Sequence, residues 1–293
     1  MKTNVIESER LTVEVADAGA ELIRIYDKAN SREVLWNADP AVWNRHAPIL
    51  FPMVGVSNQG QYRLNGKVYP MTQHGFARDM DFTLTACDSG SIWYALESTE
   101  QTKENYPFDF RLEVGHRLFD NQIQVIWRVE NTGKDTMYYN IGAHPAFRIP
   151  PEGLKKTDMK IAFDGQSCLP YINIEDPGCG CALADQVHTL KLENGTCSID
   201  EHFFDKGVYI FENEIIDKAS ICYGDGSPYV SVLCEDFTYF GLWTKPTHPF
   251  ICLEPWFGRC DDLGYTGELK DKTGIMQLDA GDTFEASYYI VIH

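Results

Sequence analysis

The chain has few basic residues for its size, and this shortage limits the partners it can bind. Its 293 residues include 25 Lys and Arg against 43 Asp and Glu, for a formal net charge of −18. Such a charge repels a phosphate backbone over most of the surface, so we expect no nucleic-acid partner. Long apolar runs and an apolar leader are also lacking. We therefore expect no membrane association and a cytoplasmic location.

Linkers are missing as well. The sequence has no stretch rich in proline, glycine or serine and no low-complexity tract that would divide it. With 44% hydrophobic and 13% aromatic residues, a chain of this length can bury a large core. We predict one domain over residues 1–293.

The nine cysteines lack the paired spacing of a structural metal site. Cys179-Gly180-Cys181 is the one close pair, and no second ligand pair follows nearby. A chain this long does not need disulfides to fold. We expect free thiols and no bound metal.

Apolar and polar residues alternate with the period of β-strands. Residues 11–15 and 122–129 show the pattern clearly, and Asn65-Gly66 and Asp120-Asn121 are turn sequences typical of hairpins. Further strand-like segments are 82–86, 92–96, 110–119, 137–141, 229–233, 239–243, 250–253 and 284–292. No long segment has a helical period. The sequence therefore predicts an all-β fold, a large antiparallel β-sandwich or barrel.

Three ionisable residues lie in short, turn-bounded segments flanked by aromatic residues: His74, His144 and Glu254. Two imidazoles and one carboxylate are suited to proton transfer on a small polar substrate. Pro145 follows His144 and Pro255 follows Glu254. Since a residue before proline favours extended backbone, we expect His144 and Glu254 at strand ends.

Four ordered motifs carry a family resemblance. They are Asn-Arg-His-Ala-Pro-Ile-Leu-Phe-Pro at 44–52, His-Gly-Phe-Ala-Arg at 74–78, Gly-Ala-His-Pro-Ala-Phe at 142–147 and Glu-Pro-Trp at 254–256. Together they resemble the aldose 1-epimerase (galactose mutarotase-like) family, and its LacX-like bacterial branch in particular. The resemblance covers nearly the whole chain. It implies a β-supersandwich, no metal or organic cofactor, and interconversion of the α and β anomers of a free aldose.

The resemblance also implies residue roles in that reaction. Glu254 would be the base toward the C1 hydroxyl, His144 the acid toward the ring oxygen, and His74 a further hydrogen-bond donor. The acid role needs a protonated His144, and we expect the nearby carboxylate to raise the histidine pKa.

Four residues are candidates for sugar binding. Arg45 matches a family arginine that hydrogen-bonds sugar hydroxyls, and Asp205 resembles an aspartate that holds ring hydroxyls. Asp205 could equally be an ordinary acidic residue of a turn before a strand. Arg78 lies in the His-Gly-Phe-Ala-Arg motif, and Trp256 offers an apolar face for a sugar, with core packing as its alternative.

Two other functions stay open at this point. Arg45, Arg78 and Lys245 could hold a phosphate, which would make the chain a hexose-6-phosphate 1-epimerase. The same cleft could also belong to a non-catalytic carbohydrate-binding protein. We favour a free hexose such as galactose or glucose as the substrate, and the oligomeric state is not predicted.

Overall fold

A computed structural model describes residues 2–150 and 153–293, and strands dominate this part of the chain. In chain order the strands are β1 (Thr3–Glu7), β2 (Leu11–Ala16), β3 (Leu22–Asp27), β4 (Arg32–Glu33), β5 (Ile49–Leu50), β6 (Gln61–Leu64), β7 (Lys67–Pro70), β8 (Thr83–Cys87), β9 (Ser91–Glu97), β10 (Phe110–Phe119), β11 (Gln122–Asn131), β12 (Met137–Tyr139), β13 (Ile141–Ala143), β14 (Ala146–Arg148), β15 (Met159–Phe163), β16 (Cys168–Tyr171), β17 (His188–Lys191), β18 (Thr196–Ser198), β19 (Tyr209–Glu212), β20 (Lys218–Tyr223), β21 (Pro228–Leu233), β22 (Tyr239–Trp243), β23 (Phe250–Phe257), β24 (Met276–Leu278) and β25 (Thr283–Ile292).

Helical structure is limited to short segments. The α-helix α1 spans Glu100–Asn105, and the 3₁₀ helices span Asn58–Gly60, Ala77–Asp79, Lys156–Asp158 and Leu269–Asp271. Within the described residues, no helix has the length and apolar character needed to cross a membrane.

Two large sheets form the body of the fold. The first has nine strands in the order β18-β15-β20-β21-β25-β11-β10-β9-β8. The second has the order β19-β22-β23-β13-β5, with β14 also paired to β23. Strands β1 to β4 form a third sheet, and β12-β24, β16-β17 and β6-β7 form two-stranded sheets. The predicted all-β, antiparallel architecture is confirmed; that residues 1–293 form a single domain stays a prediction.

Side chains from both large sheets enter one core. Phe163 of β15 lies 5.4 Å from Phe211 of β19 between ring centroids, so the nine-stranded sheet packs directly on the second sheet. Trp127 of β11 and Leu253 of β23 belong to the same buried cluster. Each fully buried side chain of this size contributes roughly 1.5–3 kcal/mol of hydrophobic stabilisation.

Both predicted hairpin turns are confirmed. Asn65 and Gly66 have φ of 51° and 77° between β6 and β7, the left-handed conformations that a two-residue hairpin turn requires. Asp120 has φ of 50° between β10 and β11. The nine cysteines are free thiols, also as predicted.

The strand predicted over 137–141 is wrong in one respect, because it is two strands. Tyr139 of β12 pairs with Met276, whereas Ile141 of β13 pairs with Phe257. The chain thus changes sheets at Asn140, whose backbone N–H donates to the carbonyl of Pro52 at 2.7 Å. Hydrophobic alternation continues through this change, so the pattern alone does not reveal it.

Candidate functional site

A solvent-open cleft of about 520 Å³ lies over the second large sheet. Six of the seven predicted site residues line it: Arg45, His74, Arg78, His144, Glu254 and Trp256. These residues come from distant parts of the chain, and the fold brings them together. The exception is Asp205.

Glu254 reaches the cleft because of strand alternation in β23. Leu253 faces the main core, whereas Cys252, Glu254 and Trp256 face the opposite side of the sheet. The prediction that Glu254 lies at a strand end is wrong, because β23 continues to Phe257. On one side of β23, β14 pairs with residues 250–252 and β13 pairs with residues 256–257. The hydrogen-bond ladder on this side therefore has a gap opposite Pro255. This gap explains how a central strand accommodates a residue without an N–H group.

His144 lies in the matching gap between β13 and β14, so its predicted place at a strand end is confirmed. The carbonyl of Pro145 accepts a hydrogen bond from the amide of Leu253 at 3.4 Å, which fixes this segment beside β23. Trp43 packs against the His144 ring at 4.9 Å and Trp243 meets it edge-on at 5.4 Å between centroids.

His144 and Glu254 form a close, buried pair. Nε2 of His144 lies 3.4 Å from Oε2 of Glu254, and the two residues are 6% and 1% exposed. Burial lowers the pKa of His144 to about 3 and raises the pKa of Glu254 well above its usual value. Both shifts favour the neutral forms, since charged groups lose their hydration. The prediction that the carboxylate raises the His144 pKa is therefore wrong for this structure, because burial has the larger effect.

Two polar atoms of this pair have no hydrogen-bond partner among residues 2–150 and 153–293. They are Nδ1 of His144 and Oε1 of Glu254, and both are fully shielded from solvent. Buried polar atoms in proteins are nearly always hydrogen-bonded, so these two atoms add to the cost of burying the pair.

His74 occupies an unusual backbone conformation at the cleft wall. Its φ is +65°, and Gly75 after it has φ of +70°. A Cβ on Gly75 would lie 2.2 Å from the carbonyl oxygen of Phe51, so only glycine fits there. Strained backbone of this kind is concentrated at functional sites.

The protonation of His74 follows from its contacts. Nδ1 accepts a hydrogen bond from the amide of Gly55 at 3.1 Å, so Nε2 carries the proton of the neutral ring. Burial, and then the nearby charges of His144 and Arg78, lower the pKa of His74 well below its usual value. Neutral His74 can therefore donate one hydrogen bond through Nε2.

Arg45 and Arg78 lie together on one side of the cleft. Nη1 of Arg45 donates to the carbonyl of Arg78 at 3.2 Å, and Nη2 forms an ion pair with Asp79. Nε of Arg78 is 3.8 Å from the same carboxylate, and Nη2 donates to the carbonyl of Gln73 at 2.7 Å. Burial, and then the neighbouring Arg45 charge, lower the pKa of Arg78. Lys245 also lines the cleft.

Trp256 forms part of the cleft floor. Its Nε1 donates to the carbonyl of Ala143 at 3.1 Å, which holds the indole beside the His144 segment. A Cβ on Gly142 or on Gly241 would lie 2.5 or 2.4 Å from the indole, so these two glycines make room for it. The ring both packs in the interior and lines the cleft.

The structure does not bring Asp205 into the cleft. The residue is exposed, and its Oδ2 lies 2.8 Å from Nδ1 of His202. This position matches the alternative of a turn acid, and a role of Asp205 in sugar binding stays a prediction. Glu175 and Asp176 line the cleft instead, on the loop at 174–180, and sequence reasoning missed both. The loop is rich in turn-forming residues, but such a signal does not tell where the loop folds.

A third potential ligand atom adjoins the histidine–glutamate pair. Single ligand atoms of His144, Cys252 and Glu254 all lie within 4.8 Å of one another, and all three residues are buried. Imidazole, thiol and carboxylate are the groups that bind zinc in proteins.

Comparisons with known proteins agree with one another. A family model described as aldose 1-epimerase matches residues 2–179. Protein LacX (chromosomal) of Lactococcus lactis subsp. lactis is 32% identical over 297 aligned residues, which cover 98% of each chain. A solved galactose mutarotase related enzyme of Lactobacillus acidophilus superposes with a TM-score of 0.93 at 29% identity, over 100% of this chain and 97% of that one. A galactose mutarotase-like protein of Lactobacillus casei gives a TM-score of 0.89 at 30% identity over 100% of both chains.

Proposed function

Since the chain belongs to the aldose 1-epimerase family, we propose that it interconverts the α and β anomers of a free hexose such as glucose or galactose. The observation that carries the proposal is the pair in the cleft, with Nε2 of His144 3.4 Å from Oε2 of Glu254. An acid and a base side by side, reachable from solvent, are what anomer exchange requires.

The reaction moves two protons. The proton of the C1 hydroxyl is removed while the ring oxygen gains one, and the bond between C1 and the ring oxygen breaks. The aldehyde end rotates, and the ring closes with the opposite anomeric configuration. In our proposal Glu254 accepts the hydroxyl proton and His144 donates to the ring oxygen, and the two steps reverse on ring closure. Each such group typically accelerates a reaction by roughly 10²- to 10⁴-fold.

Sugar binding would have to change the protonation of the buried pair. Without a sugar, burial favours neutral His144 and protonated Glu254. A C1 hydroxyl that donates to the carboxylate, and a ring oxygen that accepts from the imidazolium, would favour transfer of the Glu254 proton to His144, which produces the base and the acid together. His74, with its proton on Nε2, would donate a further hydrogen bond, and the indole of Trp256 would face the apolar side of the sugar.

A second substrate class is favoured by one observation. Arg45, Arg78 and Lys245 all line the cleft, and arginines bind phosphate well. A hexose 6-phosphate would therefore find cationic partners there. We rank it second because Asp79 already ion-pairs with Arg45 and approaches Arg78, and because Glu175 and Asp176 add negative charge to the same cleft.

The chain could also be a sugar-binding protein without activity, using the same cleft. A binding site needs hydrogen-bond partners for hydroxyls, but it does not need a histidine and a carboxylate at 3.4 Å in a buried position. Burying two ionisable groups side by side costs stability. That cost argues for a catalytic use of the pair.

Magnetisation-transfer NMR tests the proposal directly. Anomer exchange is measured on glucose, galactose and their 6-phosphates, with the wild type and Glu254→Gln in one buffer. We expect exchange on a free hexose to be accelerated by the wild type and lost in the variant. Binding without accelerated exchange on any of the four sugars would instead support the sugar-binding protein.

A further inference from the structure

Cys252 lies directly behind the histidine–glutamate pair, and the reaction proposed above does not use it. The residue is fully buried, on the same face of β23 as Glu254. Its thiol completes a cluster with His144 and Glu254 in which the three ligand atoms lie within 4.8 Å of one another. We call these residues the His-Cys-Glu cluster, and we infer that the cluster is a binding site for Zn²⁺.

The geometry of the cluster is close to that of a zinc site. Two ligand atoms of a tetrahedral Zn²⁺ with bonds of about 2.0–2.1 Å are about 3.3 Å apart. The observed separation between Nε2 of His144 and Oε2 of Glu254 is 3.4 Å. The pair therefore fits a shared metal with almost no movement, and small side-chain shifts bring the thiol to bonding distance.

Charge balance also favours a divalent cation here. On binding, the thiol of Cys252 and any protonated carboxyl group release their protons to solvent. One thiolate, one carboxylate and one neutral imidazole then balance the two positive charges, so no net charge is buried.

The fourth ligand position faces the cleft. His144 and Glu254 line the cleft, whereas Cys252 lies below them, so the metal enters from solvent between the first two residues. Water or a sugar hydroxyl would fill the open position. A metal there occupies the acid and the base together. Resting on the proposed function, this makes Zn²⁺ an inhibitor of anomer exchange.

Cobalt absorption provides a test that does not depend on activity. The full-length protein is titrated with Co²⁺, which gives a sulfur-to-metal absorption band only when a thiolate is a ligand. We expect the band at one equivalent in the wild type, its loss in Cys252→Ala and in the volume-conserving Cys252→Ser, and its displacement by Zn²⁺. Calorimetry should show Zn²⁺ binding weakened at least about tenfold in both variants.

Cys260→Ala is the matched control, because Cys260 is buried and lines the cleft but lies outside the cluster. It should keep the band. No band in the wild type, or a band that persists in both Cys252 variants, would overturn the inference. If the wild type exchanges no anomers, the proposed function fails, while the cobalt result still decides the metal site.

Discussion

Nε2 of His144 lies 3.4 Å from Oε2 of Glu254, and each of these residues precedes a proline. The two facts are connected. The gap between β13 and β14 faces the stretch of β23 around Pro255, which pairs only with β22 on its other side, and both side chains lie at this gap. The interruption of one strand ladder thus creates the site, while the surrounding pairs hold it rigidly. Functional groups on such rigid elements are positioned more precisely than groups on free loops.

Replacing Glu254 by Gln tests the base. The amide keeps the shape of the side chain but cannot accept a proton, so the rate of anomer exchange should fall by roughly 10²- to 10⁴-fold. Sugar affinity should change by less than about tenfold, because the amide still hydrogen-bonds hydroxyls. Rates come from magnetisation-transfer NMR and affinities from calorimetry. Wild-type rates in this variant would show that another group is the base.

The two histidines should differ in their contribution. His144→Asn removes the group proposed to protonate the ring oxygen, whereas His74→Asn removes a hydrogen-bond donor that steadies charge. We expect the first variant to lose roughly 10²- to 10⁴-fold in rate and the second to lose less. The same NMR assay compares both variants on one sugar. The opposite order would exchange the two roles.

Arg78→Ala separates the two substrate classes. For a free hexose we expect the apparent affinities for glucose and glucose 6-phosphate to fall by similar factors, because Arg78 then contacts hydroxyls common to both. Initial exchange rates at several concentrations of each sugar give the two ratios. A loss confined to glucose 6-phosphate would assign the arginine to the phosphate and favour the second candidate.

Much of this site could be predicted from local sequence. His74, His144, Glu254 and Trp256 lie in motifs with distinctive neighbours, and glycine and proline in those motifs set the backbone that presents them. Asp205 is not among the residues that line the cleft, for a physical reason. Turn acids before a strand are common, and the sequence does not show that this one pairs with His202 at the surface.

The fold was predictable in class but not in its connections. Alternation identified β10 and β11 and the turns between paired strands, since those features depend on neighbours along the chain. The division of 137–141 into β12 and β13 depends on partners more than a hundred residues away. The neutral state of the His144 and Glu254 pair depends on burial by distant aromatic residues, which composition does not report.

His116 should make folding stability depend on pH. It is 2% exposed, and burial lowers its pKa from 6.5 to about 4. Between these values the unfolded chain binds a proton that the folded protein excludes, so stability falls as pH drops through this window. The contribution is about 3 kcal/mol at most. Burial of His74 and His144 makes stability depend on pH in the same direction, so the effect of His116 is isolated by comparison with His116→Gln. The difference in unfolding free energy between wild type and His116→Gln should decrease by that amount from pH 7.5 to about 4.5. Urea unfolding at both pH values measures this difference, and a constant difference would contradict the prediction.

Gly75→Ala should destabilise the protein and displace His74. A Cβ at this position would lie 2.2 Å from the Phe51 carbonyl oxygen, in addition to the cost of a φ of +70°. Gly66→Ala is the matched control, because its φ is +77° and nothing lies within 4 Å of an added Cβ. We expect a loss of roughly 1–2 kcal/mol in Gly66→Ala from backbone strain alone. Gly75→Ala should lose roughly 1–3 kcal/mol more of its unfolding free energy because of the clash. This variant should also lose anomer exchange, because His74 is displaced. Equal losses of unfolding free energy in the two variants would mean that the cleft wall yields around residue 75, and that His74 is not held by this contact.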